Sequence, residues 1–250
     1  MQVSTDRQGG TDDQGTSNLS SLCRVGGIAA FVLIVYSLAT MVQMVVLGGQ
    51  PTTAAEAFNL LQHNKSVGLL RLDLPTAVVM PLYYLLFLGL YEALRRVNGA
   101  RVLLSTVLVF GGLTMLLATP GALSMLALSN HYATATSDAV RAQLLAAGEA
   151  VMAADMWHGT GAILGGVLVQ CGAVLVCCVM LRGGIFSKAT AWLGIVMHSL
   201  DLLHIVGGLF VPILGVILMA TAGPLYPIWL FMVGRRLLKL GGGKIEAILL

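Results

Sequence analysis

Between Arg24 and Glu56 the chain runs 31 residues without a charged side chain, and no charge occurs between Arg101 and Asp138. A charge-free apolar run of roughly 18 residues or more is long enough to cross the hydrocarbon core of a bilayer as a helix. Backbone amides inside lipid must be satisfied within the segment, so such runs point to helices and away from loops or open sheet edges. The remaining sequence agrees. Only 10% of the 250 residues are charged, against about a quarter in a soluble domain, and the mean hydropathy is +0.89. The expected fold is an all-α integral membrane protein, with the lipid bilayer as its obligate partner.

The first 21 residues differ in kind: MQVSTDRQGGTDDQGTSNLSS is rich in Gly, Ser, Thr, Gln and Asp. Such a segment cannot bury enough apolar surface to offset its ordering entropy, so residues 1–21 are expected to be a disordered cytoplasmic segment. It lacks the basic region followed directly by an apolar core that marks a secretory signal, so the first apolar helix is expected to be retained.

Charge-free runs and Gly, Pro and Asn breaks predict six transmembrane helices: Leu22 to Gly48, Val67 to Leu94, Val102 to Leu128, Gly159 to Leu181, Ala189 to Val211 and Gly215 to Leu237. They make one domain over 22–240, followed by a short cytoplasmic tail at 241–250. The last break rests on Gly207, Gly208 and Pro212 alone, and five spans with one re-entrant piece are the alternative. The basic residues favour six. Eleven of the fourteen Lys and Arg then fall on one side, Lys65 and Arg141 fall on the other, and Arg71 lies within a span. Basic residues near span ends stay on the cytoplasmic side, so both termini are expected in the cytoplasm and the protein in the plasma membrane.

Two connections on the outer side are long and patterned. Thr53 to His63 places Ala54, Ala57, Phe58 and Leu61 at helical spacing after a Thr cap, and Ser137 to Ala147 repeats this with Leu144 and Leu145 after Ser-Asp. Each predicts a short surface helix.

Polar groups inside spans carry the functional signal, because a charge at bilayer depth costs about 2.5 to 3.5 kcal/mol on insertion scales and faces a partner or a cavity. The second helix opens with Arg71 and Asp73, and the fourth with Asp155, Trp157 and His158. At 1.5 Å per residue, His198, Asp201 and His204 of the fifth lie about 14, 18 and 23 Å above its inner end. Arg71, Asp73, Asp155, His158, Asp201 and His204 are therefore expected to converge in the outer leaflet. Two uses compete: Arg71 pairs with one or more of Asp73, Asp155 and Asp201 to fix packing, or the cluster binds a small solute or a proton. An Asp beside a His can orient the imidazole for proton transfer, or both can ligate a metal.

The order of features resembles a family of bacterial multi-pass membrane proteins known only as a domain of unknown function. The pieces are Arg24-Val25-Gly26-Gly27, Leu70-Arg71-Leu72-Asp73, Gly184-Ile185-Phe186 with Leu193-Gly194, and Trp229-Leu230-Phe231 with Gly234. The resemblance covers roughly 22–240 and implies a helical bundle without an assigned activity.

No HExxH, CxxC or GxSxG motif occurs, and no cofactor is predicted. The net charge of +3 comes from the basic residues that set topology, with no basic stripe interleaved with aromatics, so nucleic-acid binding is unsupported. Cys23, Cys171, Cys177 and Cys178 read as packing groups. Gly161 and Gly165 read as a close-packing face, and Tyr83, Tyr84, Tyr226 and Trp229 as packing or interfacial anchors. The leading expectation is a non-catalytic small transporter or membrane accessory protein with an outward-facing polar cluster. The rival is an intramembrane metal-dependent hydrolase using His158, Asp201 and His204.

Overall fold

The computed structural model describes residues 9–242 apart from Pro120, with side chains from Ser21 onward. The described residues form eleven helical segments and no strand: α1 (Gly9–Val46), α2 (Ala54–His63), α3 (Lys65–Arg71), α4 (Leu74–Val79), α5 (Leu82–Leu117), α6 (Ala122–Thr134), α7 (Asp138–Ala153), α8 (Thr160–Gly183), α9 (Lys188–Gly208), α10 (Pro212–Ala222) and α11 (Leu225–Leu240). Of the polar segment expected to be disordered, 1–8 lie outside the described residues, whereas the chain from Gly9 is the first part of α1. Once a helix is nucleated, each added residue gains a backbone bond, so the apolar helix extends backward beyond its lipid-compatible part. Most of the predicted tail, from residue 243, also lies outside the described residues.

Among the described residues five helical segments are long and apolar enough to cross a membrane: Ser21–Val46, Leu74–Thr134, Thr160–Gly183, Lys188–Gly208 and Pro212–Leu240. The second has 61 residues, about 90 Å if straight, or three times the thickness of the hydrocarbon core. It is not straight. Asn98 leaves helical geometry (φ −158°, ψ 84°) in the middle of α5, and the Tyr84 hydroxyl meets the Thr114 hydroxyl at 2.8 Å. Residues thirty apart in one helix would stand about 45 Å apart, so the two halves of α5 fold against each other around Asn98. The Tyr84 and Phe110 rings pack edge to face across this hairpin, 4.7 Å between centroids.

The predicted helices are more broken than expected, and prolines mark where. Pro75 and Pro212 stand in the first turns of α4 and α10, and Pro81 and Pro224 are the cap residues of α5 and α11. A residue without an N–H is tolerated at the start of a helix, where that donor has no intrahelical partner. The predicted second helix is thereby divided into α3, α4 and the first half of α5, and the sixth into α10 and α11.

The basic ends lie together. Arg24 donates to the Gly242 carbonyl at 3.4 Å, Arg236 donates to the Ile185 carbonyl at 2.6 Å, and Gly183 abuts Val97. The start of the apolar part of α1, the turn of α5, the α8–α9 connection and the end of α11 thus share one end of the bundle. At the other end α2, α6 and α7 pack around Ala54, Ala57, Phe58, Leu61 and Met125. Both predicted short helices form with the expected caps: Thr53 accepts from the Glu56 N–H at 3.2 Å and Ser137 from the Val140 N–H at 3.3 Å. Glu149 of α7 also accepts from the Ala54 N–H at 2.7 Å, so α2 is tied to α7 and forms part of a cap.

Between the two ends α5 and α8 approach closely. A Cβ on Gly112 would stand 2.4 Å from the Gly165 carbonyl oxygen, and Ser105 donates to the Gly172 carbonyl at 2.7 Å. Small residues bring helices together where apolar burial gives no drive against lipid. Gly165 belongs to that interface; Gly161 does not, since a Cβ there meets nothing within 4 Å. The outer faces carry aliphatic and aromatic side chains, with Val35 69% and Phe210 80% exposed, as lipid-facing surfaces require.

Candidate functional site

The six residues expected to converge are sorted into separate arrangements. Arg71 does not pair with Asp73, Asp155 or Asp201. Its Nη2 meets Glu56 at 3.0 Å and its Nε donates to the Gly49 carbonyl at 2.7 Å. The break at Asn64 between α2 and α3 brings Glu56 over the end of α3, so the guanidinium is satisfied at the cap. Glu56 also accepts from the Thr52 N–H at 2.9 Å. That hydrogen bond first, and Arg71 beside it, hold the Glu56 carboxyl below the ordinary carboxylate range.

Asp155 and His158 form a local turn. The Asp155 carboxylate accepts from the Trp157 and His158 N–H groups at 2.8 and 2.9 Å and from His158 Nδ1 at 2.9 Å. This shapes the connection into α8 and leaves His158 largely exposed. Asp73 marks the break between α3 and α4. It has φ 62°, the one positive φ at a non-glycine position among the described residues. Such a conformation costs about 1 to 3 kcal/mol and persists only where surrounding contacts impose it. Those contacts come from three elements: the Thr76 hydroxyl donates to the Asp73 carboxylate, Tyr36 of α1 bonds the Thr76 hydroxyl, and Trp157 of the α7–α8 connection reaches the same carboxylate.

Asp201 stands in a different arrangement, which includes Tyr226, expected from the sequence as a packing or interfacial anchor. Gln170 of α8 donates from Nε2 to Asp201 at 2.5 Å, and the Tyr226 hydroxyl of α11 donates to the same carboxylate oxygen at 2.8 Å. With its amide nitrogen facing Asp201, Gln170 turns its oxygen toward His198, whose Nδ1 lies 2.6 Å away. An oxygen there can only accept, so Nδ1 carries the hydrogen and the imidazole tautomer is fixed. The network therefore runs Asp201, Gln170, His198, with Tyr226 closing it, and it ties α8, α9 and α11 together in the interior.

Around the network the packing is aromatic. The His198 ring lies edge to face with Tyr226 and Trp229, at 5.5 and 5.0 Å between centroids. Among the described residues His198 Nε2 and Trp229 Nε1 are the buried side-chain polar atoms without a hydrogen-bond partner. Gly194, one turn before His198, makes room for this packing: a Cβ there would stand 2.4 Å from both Trp229 Nε1 and Cys177 Sγ. His204 lies one turn beyond Asp201, and its Nδ1 donates to the Gly215 carbonyl of α10 at 2.8 Å.

Sequence reasoning named Asp201 but neither of its partners in this network, Gln170 and Tyr226. The signal for Gln170 was present, since it is the one amide side chain between Gly159 and Leu181, and an isolated polar group in an apolar run carries a functional expectation. Tyr226 gave no such signal because its hydroxyl partner lies on another helix. The hydrolase reading finds no ligand set: among the described residues no group of three or more His, Cys, Asp and Glu is placed to hold a metal ion, and His158 is engaged by Asp155 while His204 is engaged by Gly215. No protein family, curated protein or solved structure matches the chain.

Proposed function

We propose that the protein is a non-catalytic membrane transporter of small size, working through a proton-binding network at Asp201, in the plasma membrane of a bacterial cell. In this reading it crosses the membrane six times with both termini in the cytoplasm, and α2 and α7 form an outer cap. Support for six crossings comes from the hairpin at Asn98, which divides the longest apolar segment into two. The gathering of Arg24, Arg182, Lys188 and Arg236 at one end supports the orientation.

The observation that carries the functional reading is the company Asp201 keeps. Its hydrogen bonds come from an amide and a phenol, both neutral, so among the described residues no guanidinium or ammonium pins it as a carboxylate. A carboxyl held by neutral donors can take up and release a proton while its surroundings stay hydrogen-bonded, as proton-linked carriers require. Gln170 and Tyr226 bond it directly, an arrangement suited to so small a ligand.

Vesicles containing the purified protein and an internal pH-sensitive dye test this reading. With potassium and valinomycin relieving the charge, an external acid pulse should acidify the lumen faster than in protein-free vesicles, and Asp201→Asn should remove the difference. Parent vesicles that acidify no faster than protein-free ones contradict the proposal.

A further inference from the structure

One stripe along α2 runs from the cap core to the surface. Ala55, Phe58, Asn59 and Gln62 follow one another at i, i+3, i+4 and i+7, so they share a helix face. Across from them stands Tyr132 of α6, its ring centroid 5.4 Å from that of Phe58. These five residues line a pocket of about 270 Å³. Small-molecule sites run upward from about 300 Å³, so the space suits a ligand of one small ring. Phe58 is buried and anchors the inner wall. Ala55 ends at a methyl and leaves the recess open, while Asn59 and Gln62 stand exposed.

The lining is polar without being charged. No carboxylate, ammonium, guanidinium or imidazole lines the pocket, so nothing in it balances an ionic ligand. The nearest ionisable groups of α2 are engaged elsewhere: Glu56 meets Arg71, and His63 Nδ1 donates to the Asn59 carbonyl at 2.9 Å. Hydrogen-bonding capacity is what remains. Among the described residues neither the Asn59 side-chain amide nor the Tyr132 hydroxyl has a protein partner. Gln62 donates one amide hydrogen to the Ser129 carbonyl at 3.5 Å, which leaves its oxygen able to accept.

Carboxamides and phenols both donate and accept, and so do the hydroxyls of a ligand. The Phe58 and Tyr132 rings add an apolar wall whose π faces attract the positive edges of C–H groups. An apolar ligand would strip water from the amides without replacing their hydrogen bonds. A small ring with hydroxyls around its edge and C–H groups on its face meets both demands. We propose that this pocket binds a neutral monosaccharide, with Asn59 and Gln62 bonding its hydroxyls and the two aromatic rings packing against its C–H face. The site lies in the cap formed by α2, α6 and α7, apart from the network that joins α8, α9 and α11. In the orientation proposed above it opens outside the cell, where a carrier first meets a solute.

Saturation-transfer difference NMR on the full chain in lipid nanodiscs tests this with the methyl glycosides of glucose, galactose, mannose and N-acetylglucosamine as probes. At least one should receive saturation at its ring C–H protons in a dose-dependent way. Asn59→Leu and Gln62→Leu, at exposed positions, should each weaken that glycoside at least about threefold, as the loss of one hydrogen bond implies. Ala55→Trp fills the recess and should abolish the transfer, with parent-like hydrogen exchange in α2 showing that the cap is folded. Asp201→Asn should bind as the parent does, so this site stands or falls separately from the proton-binding group. No transfer to any of the glycosides in the parent, or parent-like affinity in all three pocket variants, overturns the proposal. Tighter binding of N-acetylglycinamide, which offers amide hydrogen bonds without a sugar ring, overturns the carbohydrate class.

Discussion

Arg71 and Asp201 are both polar groups that an apolar sequence brings toward the bilayer, yet the fold treats them oppositely. Arg71 is carried to the cap, where Glu56 and a carbonyl occupy it and the pair is partly exposed. Asp201 is kept among α8, α9 and α11 with neutral partners. A charge matched by an opposite charge is held in one state and serves the architecture. A carboxyl bonded to an amide and a phenol keeps its hydrogen bonds while its charge changes, so the second arrangement suits function and the first suits structure.

Removing the bridge of the interior network should produce the largest effect. Gln170→Leu leaves His198 Nδ1 without its acceptor and Asp201 without one of its donors, and each buried group so orphaned costs about 1 to 3 kcal/mol. A loss of roughly 3 kcal/mol is expected in chemical denaturation followed in detergent. Gln170→Glu, which keeps an acceptor for His198 but sets a second carboxyl against Asp201, should not restore the parent's stability.

A next smaller effect is expected one turn before His198. Gly194→Ala forces a methyl against Trp229 Nε1 and Cys177 Sγ, and overpacking of this kind costs about 1 to 3 kcal/mol. Trp229 fluorescence should shift along with the melting temperature, because the indole must move. By contrast Gly161→Leu, on a face where a Cβ meets nothing, should leave both unchanged.

The cap should respond least. Arg71→Ala is expected to cost less than about 1 kcal/mol, since an ion pair within reach of water contributes little, and Glu56→Gln should make the Arg71→Ala change nearly silent in a double-mutant cycle. Neutralising Asp73, Asp155 or Asp201 in the Arg71→Ala background should bring no such rescue. Glu56 sets the pH dependence of this region. Its carboxyl lies below the ordinary value of 4.5, first through Thr52 and then through Arg71. The stabilisation is therefore fully present above about pH 4.5. It is lost as the pH falls through the depressed folded value, so a small acid-side loss of cap stability that vanishes in Glu56→Gln should be seen by hydrogen exchange at α2.

The sequence made the cap helices legible because their determinants are local: a Thr or Ser cap and apolar residues at helical spacing suffice. The hairpin around Asn98 was legible as well, since basic residues gather beside a break in hydropathy. The partner of Arg71 was not. Glu56 lies fifteen residues earlier on a separate helix, and the break at Asn64 between α2 and α3 brings the two together. The network at Asp201 was half legible. Asp201 stands out as a charge inside an apolar span, but its partners come from α8 and α11, and in an apolar sequence a glutamine and a tyrosine from distant helices carry no mark of facing the same carboxylate. The breaks in the second and sixth spans follow from prolines within them; at the starts of helices they end one segment and begin another.

The central claim is that Asp201, held by neutral partners, is the proton-binding group of the membrane interior. Infrared difference spectra across a pH titration of the protein in lipid nanodiscs test it most directly. A carboxyl carbonyl band that appears and disappears with pH should be present in the parent and in Asp155→Asn, should move in frequency in Gln170→Ala as one hydrogen bond is lost, and should be missing in Asp201→Asn. A parent spectrum without that band, or a band that persists unchanged in Asp201→Asn, would contradict the account.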